Sequence, residues 1–176
     1  MPAENYRGPL KSDEERERTH SQSTKSNLAS ISGAATVATI LSDKGRAMYS
    51  VRPDASVGDA VSLLKAHGIG AVLVLGADGA LVGILSERDV VRKLAEAGGN
   101  VLTLPVADLM TASPVTCEAN ERLIEMMHRM TQGRFRHLPV MEGDRLVGMI
   151  SIGDVVKHRL LELEFEALKM KQMIVG

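Results

Sequence analysis

The chain carries one eleven-residue pattern twice: LVGILSERDVV at residues 81–91 and LVGMISIGDVV at residues 146–156. Seven of the 11 positions are identical, and the two copies are 65 residues apart. An internal repeat constrains a fold more strongly than local propensity does, because each copy has to form the same supersecondary unit. The sequence therefore predicts two structurally similar halves packed as one module.

The residues around this pattern predict the same order of elements in each half. A short β-prone segment is followed by a helix cap, by apolar residues at helical spacing, and by two apolar strands that flank a Gly/Asp turn. The predicted strands are 48–51, 71–75 and 81–85 in the first half and 115–117, 137–141 and 146–150 in the second. The predicted helix caps are Ser56 and Asn120, and the closing helices start at Ser86 and Ser151. The predicted buried helical faces consist of Val57, Ala60, Val61 and Leu64 in the first half and of Leu123, Ile124, Met127 and Met130 in the second. We therefore expect an α/β fold of two pseudo-symmetric β-α-β-β-α repeats.

The two ends of the chain differ from the repeats in composition. Residues 1–35 are polar and rich in Ser and charged residues, which is typical of a flexible tail. Residues 154–174 lack Gly and Pro and predict one long helix, whose many apolar residues favour a homodimer, or else packing on its own subunit or on the N-terminal segment. The expected domains are the tail at 1–35, the first repeat with the helix leading into it at 36–101, the second repeat with its linker at 102–166, and a helix extension at 167–176.

The composition excludes several classes of function. Lys and Arg total 21 against 22 Asp and Glu, so a net charge of −1 predicts no binding to nucleic acid or to an anionic membrane. Cys117 is the one cysteine, so an intrachain disulfide and a multi-thiolate zinc site are excluded, and the five histidines lack partners at metal-ligand spacing. With no signal or transit pattern and no membrane-spanning apolar run, the sequence predicts a cytoplasmic protein.

Two motifs have both a structural and a binding interpretation. Ser-x-x-Asp at a helix start, as at 86–89 and 151–154, is a capping box, but a carboxylate there can also accept hydrogen bonds from a vicinal diol. The stretch RFRHLP at 134–139 brings three potential cations together, which either solvate an exposed edge or hold phosphate. The corresponding residues of the first half, 69–72, carry no charge. The patterns alone leave both interpretations open.

Together these motifs resemble one family, the cystathionine β-synthase (CBS) domain, which normally occurs as a tandem pair called a Bateman module. The resemblance covers residues 37–158 and rests on the doubled G-h-h-S-x-x-D pattern, on VADLMTASPV at 106–115 and on RFRHLPV at 134–140. It is nearest to small stand-alone CBS-pair proteins without a catalytic domain. It implies that the aspartate binds both ribose hydroxyls of an adenosine ligand, that basic residues contact its phosphates, and that backbone and apolar groups hold the base.

The resemblance implies two clefts, and the residues that match them differ in charge. The site of the second repeat would comprise Thr111, Ser113, Pro114, Val115, Arg134, Arg136, His137, Leu138, Pro139, Ser151 and Asp154. The site of the first repeat would comprise Ser50, Val51, Ile69, Gly70, Ala71, Ser86, Arg88 and Asp89. We expect the more cationic second set to be the better site for a phosphorylated nucleotide, although the sequence does not decide which arginine serves which cleft.

We therefore expect a non-catalytic regulatory module. The resemblance implies that AMP in the first place, or ADP, ATP, NAD(H) or S-adenosylmethionine, binds between the repeats and changes a geometry that a separate effector protein senses. No catalytic cofactor and no metal are expected. The alternative is a ligand-free scaffold that dimerises through its helices. A nucleotide-transforming enzyme is a weaker alternative, because no general base, nucleophile or metal cluster is evident.

Overall fold

The computed structural model describes residues 35–45, 47–97 and 100–175, of which Thr36 onward forms one compact unit. The tail expected at residues 1–35 lies outside the described residues apart from Ala35. The helices are α1 (Val37–Lys44), α2 (Val57–His67), α3 (Glu87–Ala97), α4 (Leu123–Gly133) and α5 (Ile152–Val175); the strands are β1 (Ser50–Val51), β2 (Ala71–Leu75), β3 (Leu81–Ser86), β4 (Thr111–Ala112), β5 (Cys117–Glu118), β6 (His137–Glu142) and β7 (Arg145–Ser151). Two 3₁₀-helices, Val101–Thr103 and Val106–Asp108, lie in the linker between the repeats.

The strands form two sheets with the same topology. Strand β1 is parallel to β2, which pairs antiparallel with β3, and β5 is parallel to β6, which pairs antiparallel with β7. The registers also match, because Val74 lies opposite Gly83 and Val140 lies opposite Gly148, with a register shift after each pair. The expected β-α-β-β-α order is confirmed in both halves, and the long C-terminal helix is confirmed as α5.

The start of α4 differs from the expectation. Ser56 caps α2 as expected, since its hydroxyl accepts a hydrogen bond from the N–H of Asp59 at 3.0 Å. Asn120 is not the corresponding cap, because α4 begins after Arg122. The side chain of Glu121 accepts a hydrogen bond from the N–H of Glu118 at 2.7 Å and so keeps this stretch in a turn before the helix.

The buried helical faces agree with the sequence for α2 and partly for α4. Helix α2 buries Val57, Ala60 and Leu64, with Val61 partly buried, and α4 buries Leu123, Met126 and Met130, with Ile124 and Met127 partly buried. Met126 rather than Met127 is the fully buried methionine, because the face of α4 that meets the sheet contains positions one, four and eight of the helix.

Each repeat is preceded by a segment that packs on the sheet of the other repeat. Helix α1 precedes the first repeat, yet its Leu41 lies on Gly148 of β7, where a Cβ would be 2.6 Å from Leu41 Cδ2. The linker precedes the second repeat, yet Met110 lies on Gly83 of β3, where a Cβ would be 2.5 Å from Met110 Sδ. The glycine of each repeated pattern therefore provides the space for a side chain from the other side of the pair.

Backbone hydrogen bonds fix the same crossed arrangement. The N–H of Val37 donates to the carbonyl oxygen of Glu121 at 2.9 Å, and the N–H of Val106 donates to that of Ala55 at 2.8 Å. Strand β4, which the sequence did not predict, pairs antiparallel with β3. The linker therefore lies beside the β3–α3 junction of the first repeat.

Candidate functional site

A cavity of about 450 Å³ lies between the two repeats. Small-molecule sites typically have volumes of roughly 300–1,000 Å³. The cavity is lined by Gly70, Ile84, Ser86, Arg88, Asp89, Arg92, Thr111, Pro114, Val115, Gly133, Arg134, Phe135, Arg136 and His137. These residues come from the first repeat, the linker and the second repeat, so the cavity exists only when the pair is assembled.

Three local structures position these side chains. The β3–α3 junction carries Ser86, Arg88 and Asp89, because the strand ends at Ser86 and the helix starts at the next residue. The end of α4 and the start of β6 carry residues 133–137. The linker carries residues 111–115, which β4 holds beside β3.

Asp89 is the acidic side chain of the cavity and is 9% exposed. Its Oδ2 accepts hydrogen bonds from the N–H of Ser86 at 3.0 Å and from the Ser86 hydroxyl at 2.6 Å, as in a capping box. Its Oδ1 accepts one from Arg92 at 2.9 Å. The Arg92 side chain is 62% exposed, so this ion pair is weak and another donor can compete with Arg92 for Oδ1.

Four arginines line the cavity together with that one carboxylate, so its charge is strongly positive. Arg88 donates a hydrogen bond to the carbonyl oxygen of Arg134 at 2.7 Å and so joins the first repeat to the second. Within the described part of the chain, no carboxylate forms an ion pair with Arg88, Arg134 or Arg136. Guanidinium groups that converge without acidic partners can bind an anionic ligand such as a phosphate group.

Arg134 adopts a backbone conformation that favours glycine. Its φ is 56°, in the left-handed region, and its N–H donates to the carbonyl oxygens at the end of α4. At the same point of the first repeat, α2 ends on Gly68 with φ 60°. The left-handed conformation costs a residue other than glycine roughly 1–2 kcal/mol. The second repeat therefore carries a strained arginine that lines the cavity in place of an unstrained glycine.

The aspartate of the second repeat has a different neighbour. Oδ2 of Asp154 accepts hydrogen bonds from the N–H and hydroxyl of Ser151, each at 2.8 Å, and from Nζ of Lys44 at 2.8 Å. Burial alone would raise the pKa of Asp154, but the hydrogen bonds from Lys44 and Ser151 outweigh it and hold that pKa below its usual value. The carboxylate of the second repeat is therefore already paired with a cation of the same chain.

His137 lies at the contact between the two repeats. A Cβ on Gly70 would be 3.2 Å from its Cε1, so the imidazole packs against the backbone of the first repeat. Burial, with the positive charges of Arg136 and Lys44, lowers the pKa of His137 to about 4, although Asp154 acts in the opposite direction. His137 is therefore neutral at pH 7 and does not add to the positive charge of the cavity. It was expected to be one of three potential cations at 134–139, so only Arg134 and Arg136 of that stretch are charged.

The cavity combines residues that were expected in two separate sites. Thr111, Pro114, Val115, Arg134, Arg136 and His137 were expected beside Asp154 but line the cavity with Asp89 and with Gly70, Ser86 and Arg88 of the first set. The expected grouping differs from the structure because β4 pairs with β3 and carries the linker to the first repeat. A role of these residues in binding stays a prediction.

The other expected site residues lie outside this cavity. Three of them, Leu138, Pro139 and Ala71, are buried in strands, and Ile69 packs against the core of the first repeat. Strand β1 consists of Ser50 and Val51, and the N–H of Ser113 donates to the carbonyl oxygen of Val82. The junction of β7 and α5 contains Ser151 and Asp154. The sequence interpretation missed Ile84, Arg92, Gly133 and Phe135. Arg92 follows Asp89 by one helical turn, so helical spacing was the signal that could have found it.

Beyond this cavity, the described residues bear on three further features: a cysteine nucleophile, a metal site and a membrane-spanning helix. Cys117 is buried, and burial raises the pKa of its thiol to about 12, so it is not a nucleophile at neutral pH. In residues 35–45, 47–97 and 100–175, no cluster of three or more His, Cys, Asp or Glu side chains could coordinate a metal ion. Over the same residues, no helix combines the length and apolar character needed to span a membrane.

His137 is expected to make stability depend on pH between about 4 and 6.5. The unfolded chain takes up the proton first as the pH falls, so stability that is complete above pH 6.5 is lost progressively down to pH 4, by up to about 3 kcal/mol. His137→Asn titrates in neither state and should remove this part of the slope. Urea denaturation across this range measures it, with the exposed His128→Asn as control. Parallel profiles for wild type and His137→Asn would contradict the lowered pKa of this partly buried imidazole.

Comparison with known proteins identifies the family. The CBS domain family model matches residues 45–96 and 106–161. The CBS domain-containing protein CBSX3, mitochondrial, of Arabidopsis thaliana is 32% identical over 168 residues, which cover 90% of this chain and 82% of that protein. The crystal structure of the CBS-domain containing protein ATU1752 from Agrobacterium tumefaciens matches with a TM-score of 0.70 and 48% identity, over 72% of this chain and 94% of that one.

A more distant structure has the same fold. The CBS domain pair of protein MJ0100, in complex with 5′-methylthioadenosine and S-adenosyl-L-methionine, matches with a TM-score of 0.63 at 21% identity, over 71% of this chain and 95% of that one. The repeated pattern, the two matching sheets and these similarities agree. This chain belongs to the CBS domain family and contains a pair of CBS domains.

Proposed function

We propose that this CBS pair is a regulatory module that binds an adenine nucleotide in the cavity at Asp89. A CBS pair is a regulatory ligand-binding module, and the pair of MJ0100 binds adenosyl compounds. One observation carries the proposal for this chain: a single cavity contains the Ser-x-x-Asp carboxylate and four arginines. Such a cavity can hold the ribose and the phosphates of one ligand together.

Asp89 binds the ribose in this proposal. Within the residues that the structure describes, its Oδ1 accepts a hydrogen bond from the exposed Arg92, and a ribose hydroxyl can replace that partner. Its Oδ2 already accepts two hydrogen bonds from Ser86, so both ribose hydroxyls would donate to Oδ1, which has two acceptor sites once Arg92 is displaced. The cap at the start of α3 thereby fixes the carboxylate for binding, so capping and binding are compatible.

The arginines bind the phosphates, and the linker borders the base. Arg134 and Arg136 have planar guanidinium groups that suit bidentate phosphate contacts, and the Arg88–Arg134 hydrogen bond holds this wall together. Val115 is 51% exposed and, with Pro114, offers an apolar surface that an adenine ring would cover. The backbone of residues 111–115 is the source of hydrogen bonds to the base.

The charge of the cavity favours a nucleotide over S-adenosylmethionine. The sulfonium of that compound is a cation, and four arginines would repel it. AMP is the first ligand expected from the family, and ADP, ATP and NAD(H) carry the same group with more phosphate. Because three of the arginines have no ion-pair partner in the described chain, the electrostatic gain grows with the number of phosphates.

The cleft at Asp154 binds more weakly in this proposal. A ribose there has to compete with Lys44, whose Nζ is 2.8 Å from Asp154 Oδ2. Breaking this partly exposed ion pair reduces the affinity for a neutral diol. The two clefts of one pair therefore differ in affinity although their backbones are alike.

Regulation follows from a ligand that contacts both repeats. Because it would touch α3 of the first repeat and the start of β6 in the second, it favours one arrangement of the pair over others, and a separate effector protein senses the difference. We propose that the protein acts as a homodimer in the cytoplasm without catalysis. The Arabidopsis relative is named as mitochondrial, so the location stays a proposal to be tested by fractionation.

A ligand-free scaffold is the second candidate. One observation favours it: Asp89 and Asp154 already accept hydrogen bonds from their own chain, as capping residues do. In that case the arginines would be hydrated surface charges between the repeats and would bind no ligand. A binding measurement separates the two candidates.

Calorimetric titration of the ligand-stripped protein with AMP, ADP, ATP, NADH and S-adenosylmethionine tests the proposal. We expect nucleotide binding that Asp89→Asn weakens about 10- to 100-fold, because a charge-assisted hydrogen bond is lost while asparagine keeps the cap. Asp154→Asn is the matched control and should change the affinity little. A larger loss in Asp154→Asn would transfer the site to the other cleft. No binding of any ligand to the folded protein would favour the scaffold.

Arg134→Gly is expected to separate stability from binding. Glycine relieves the left-handed conformation, so the free energy of unfolding should rise by about 1 kcal/mol, while nucleotide affinity should fall about tenfold. Arg145→Gln, which removes an exposed guanidinium outside the cavity, is the control and should change neither. Thermal unfolding and calorimetry measure the two effects. A stabilised Arg134→Gly protein with unchanged affinity would show that Arg134 is not a phosphate ligand.

A further inference from the structure

Helix α5 presents one continuous apolar stripe that is exposed in the described part of the chain. The α5 stripe consists of Val156, Leu160, Leu163, Ala167, Met170 and Ile174, all of them exposed, from 41% at Val156 to 83% at Ile174. The side of α5 that packs on its own chain lies nearly opposite and carries the buried Val155, with His158 and Glu162 at 12% and 17% exposure. The stripe is therefore not part of the folded core.

The spacing of the α5 stripe is that of a coiled-coil seam. Successive members are four and three residues apart in alternation, which gives positions a (Leu160, Ala167, Ile174) and d (Val156, Leu163, Met170) of a heptad. The stripe is about 28 Å long at 1.5 Å per residue. The neighbouring line of His158, Leu161, Phe165, Leu168 and Gln172 contains two polar residues, and Lys169 covers Phe165 at 4.8 Å from the ring centre. The α5 stripe is the better seam.

The charges beside the stripe fit a second parallel copy. In a parallel pair, each g position faces the e position five residues further along the other helix. Arg159 would then face Glu164 of the second copy, and Glu166 would face Lys171. Both contacts are between opposite charges, and each occurs twice in a symmetric pair.

The same charges oppose an antiparallel pair. With the same apolar residues in contact, Glu164 would face Glu164 of the second copy, Glu166 would face Glu166, and Lys157 would face Lys171. All three contacts are between like charges, which destabilise a coiled coil. The pattern thus specifies orientation as well as partner.

We propose that the α5 stripe binds the same stripe of a second copy of this chain as a parallel, in-register coiled coil. This deepens the dimer part of the proposed function and does not depend on the ligand. The two CBS pairs then lie on either side of a twofold axis that runs along α5. A change within one pair is transmitted to the other through the first turns of the helix, which also carry Asp154.

Disulfide cross-linking of the full-length protein tests orientation and register. Met170→Cys places a thiol at a d position, so mild oxidation should convert most of a parallel dimer to a covalent dimer. In the antiparallel pair the two thiols would be about 15 Å apart, too far for a disulfide. The wild-type protein, whose Cys117 is buried, is the control and should not cross-link. A dimer that does not cross-link at this position overturns the proposal while leaving dimerisation intact.

Charge reversal and apolar substitution test the contacts by sedimentation. Glu166→Lys and Lys171→Glu should each weaken the dimer about 3- to 30-fold, and the double variant should restore it. The two residues are five positions apart on one helix and do not face each other, so rescue reports on contact between copies. Leu163→Glu should abolish the dimer, whereas Leu168→Glu should not, because Leu168 is exposed to a similar extent but lies outside the stripe. Equal effects of these two variants, no rescue, or a monomeric wild-type protein would overturn the proposal.

Discussion

The rest of the structure depends on the close approach of one side chain to the glycine of each repeated pattern. Met110 lies on Gly83 and Leu41 on Gly148, at distances where a Cβ would be only 2.5 and 2.6 Å from the neighbouring atom. Each of these side chains belongs to the segment that precedes the other repeat. The crossed packing therefore brings the linker to the first Ser-x-x-Asp motif and α1 to the second, which decides what surrounds each aspartate.

The two junctions have the same backbone and different chemistry. At the first, two arginines of α3 and two arginines that follow α4 line the cavity with Asp89; at the second, Lys44 bonds directly to Asp154. The difference is local in origin. The first repeat has Gly68 and Gly70 where the second has Arg134 and Arg136, so at these two positions only the second repeat contributes cations to the cavity. A neutral His137 at the boundary avoids further repulsion among these cations.

The sequence predicted what is local and missed what is not. The strands, the capped start of α2 and the closing helices followed from residues within one segment, because turns, caps and apolar periodicity act over a few positions. Strand β4 has only two residues, and its pairing with β3 depends on a distant partner, so no pattern indicated it. The grouping of Thr111 with Asp89 rather than Asp154 follows from that pairing. The bond between Lys44 and Asp154 joins residues 110 positions apart, and no sequence spacing signals it.

The site of ligand binding is tested most directly by a crystal structure of the protein with ADP. The ribose hydroxyls should lie within hydrogen-bond distance of the Asp89 carboxylate, with the phosphates among Arg88, Arg134 and Arg136, and Lys44 should remain bonded to Asp154. Density for ADP at Asp154 with Lys44 displaced and the Asp89 cavity empty would contradict the assignment of the site.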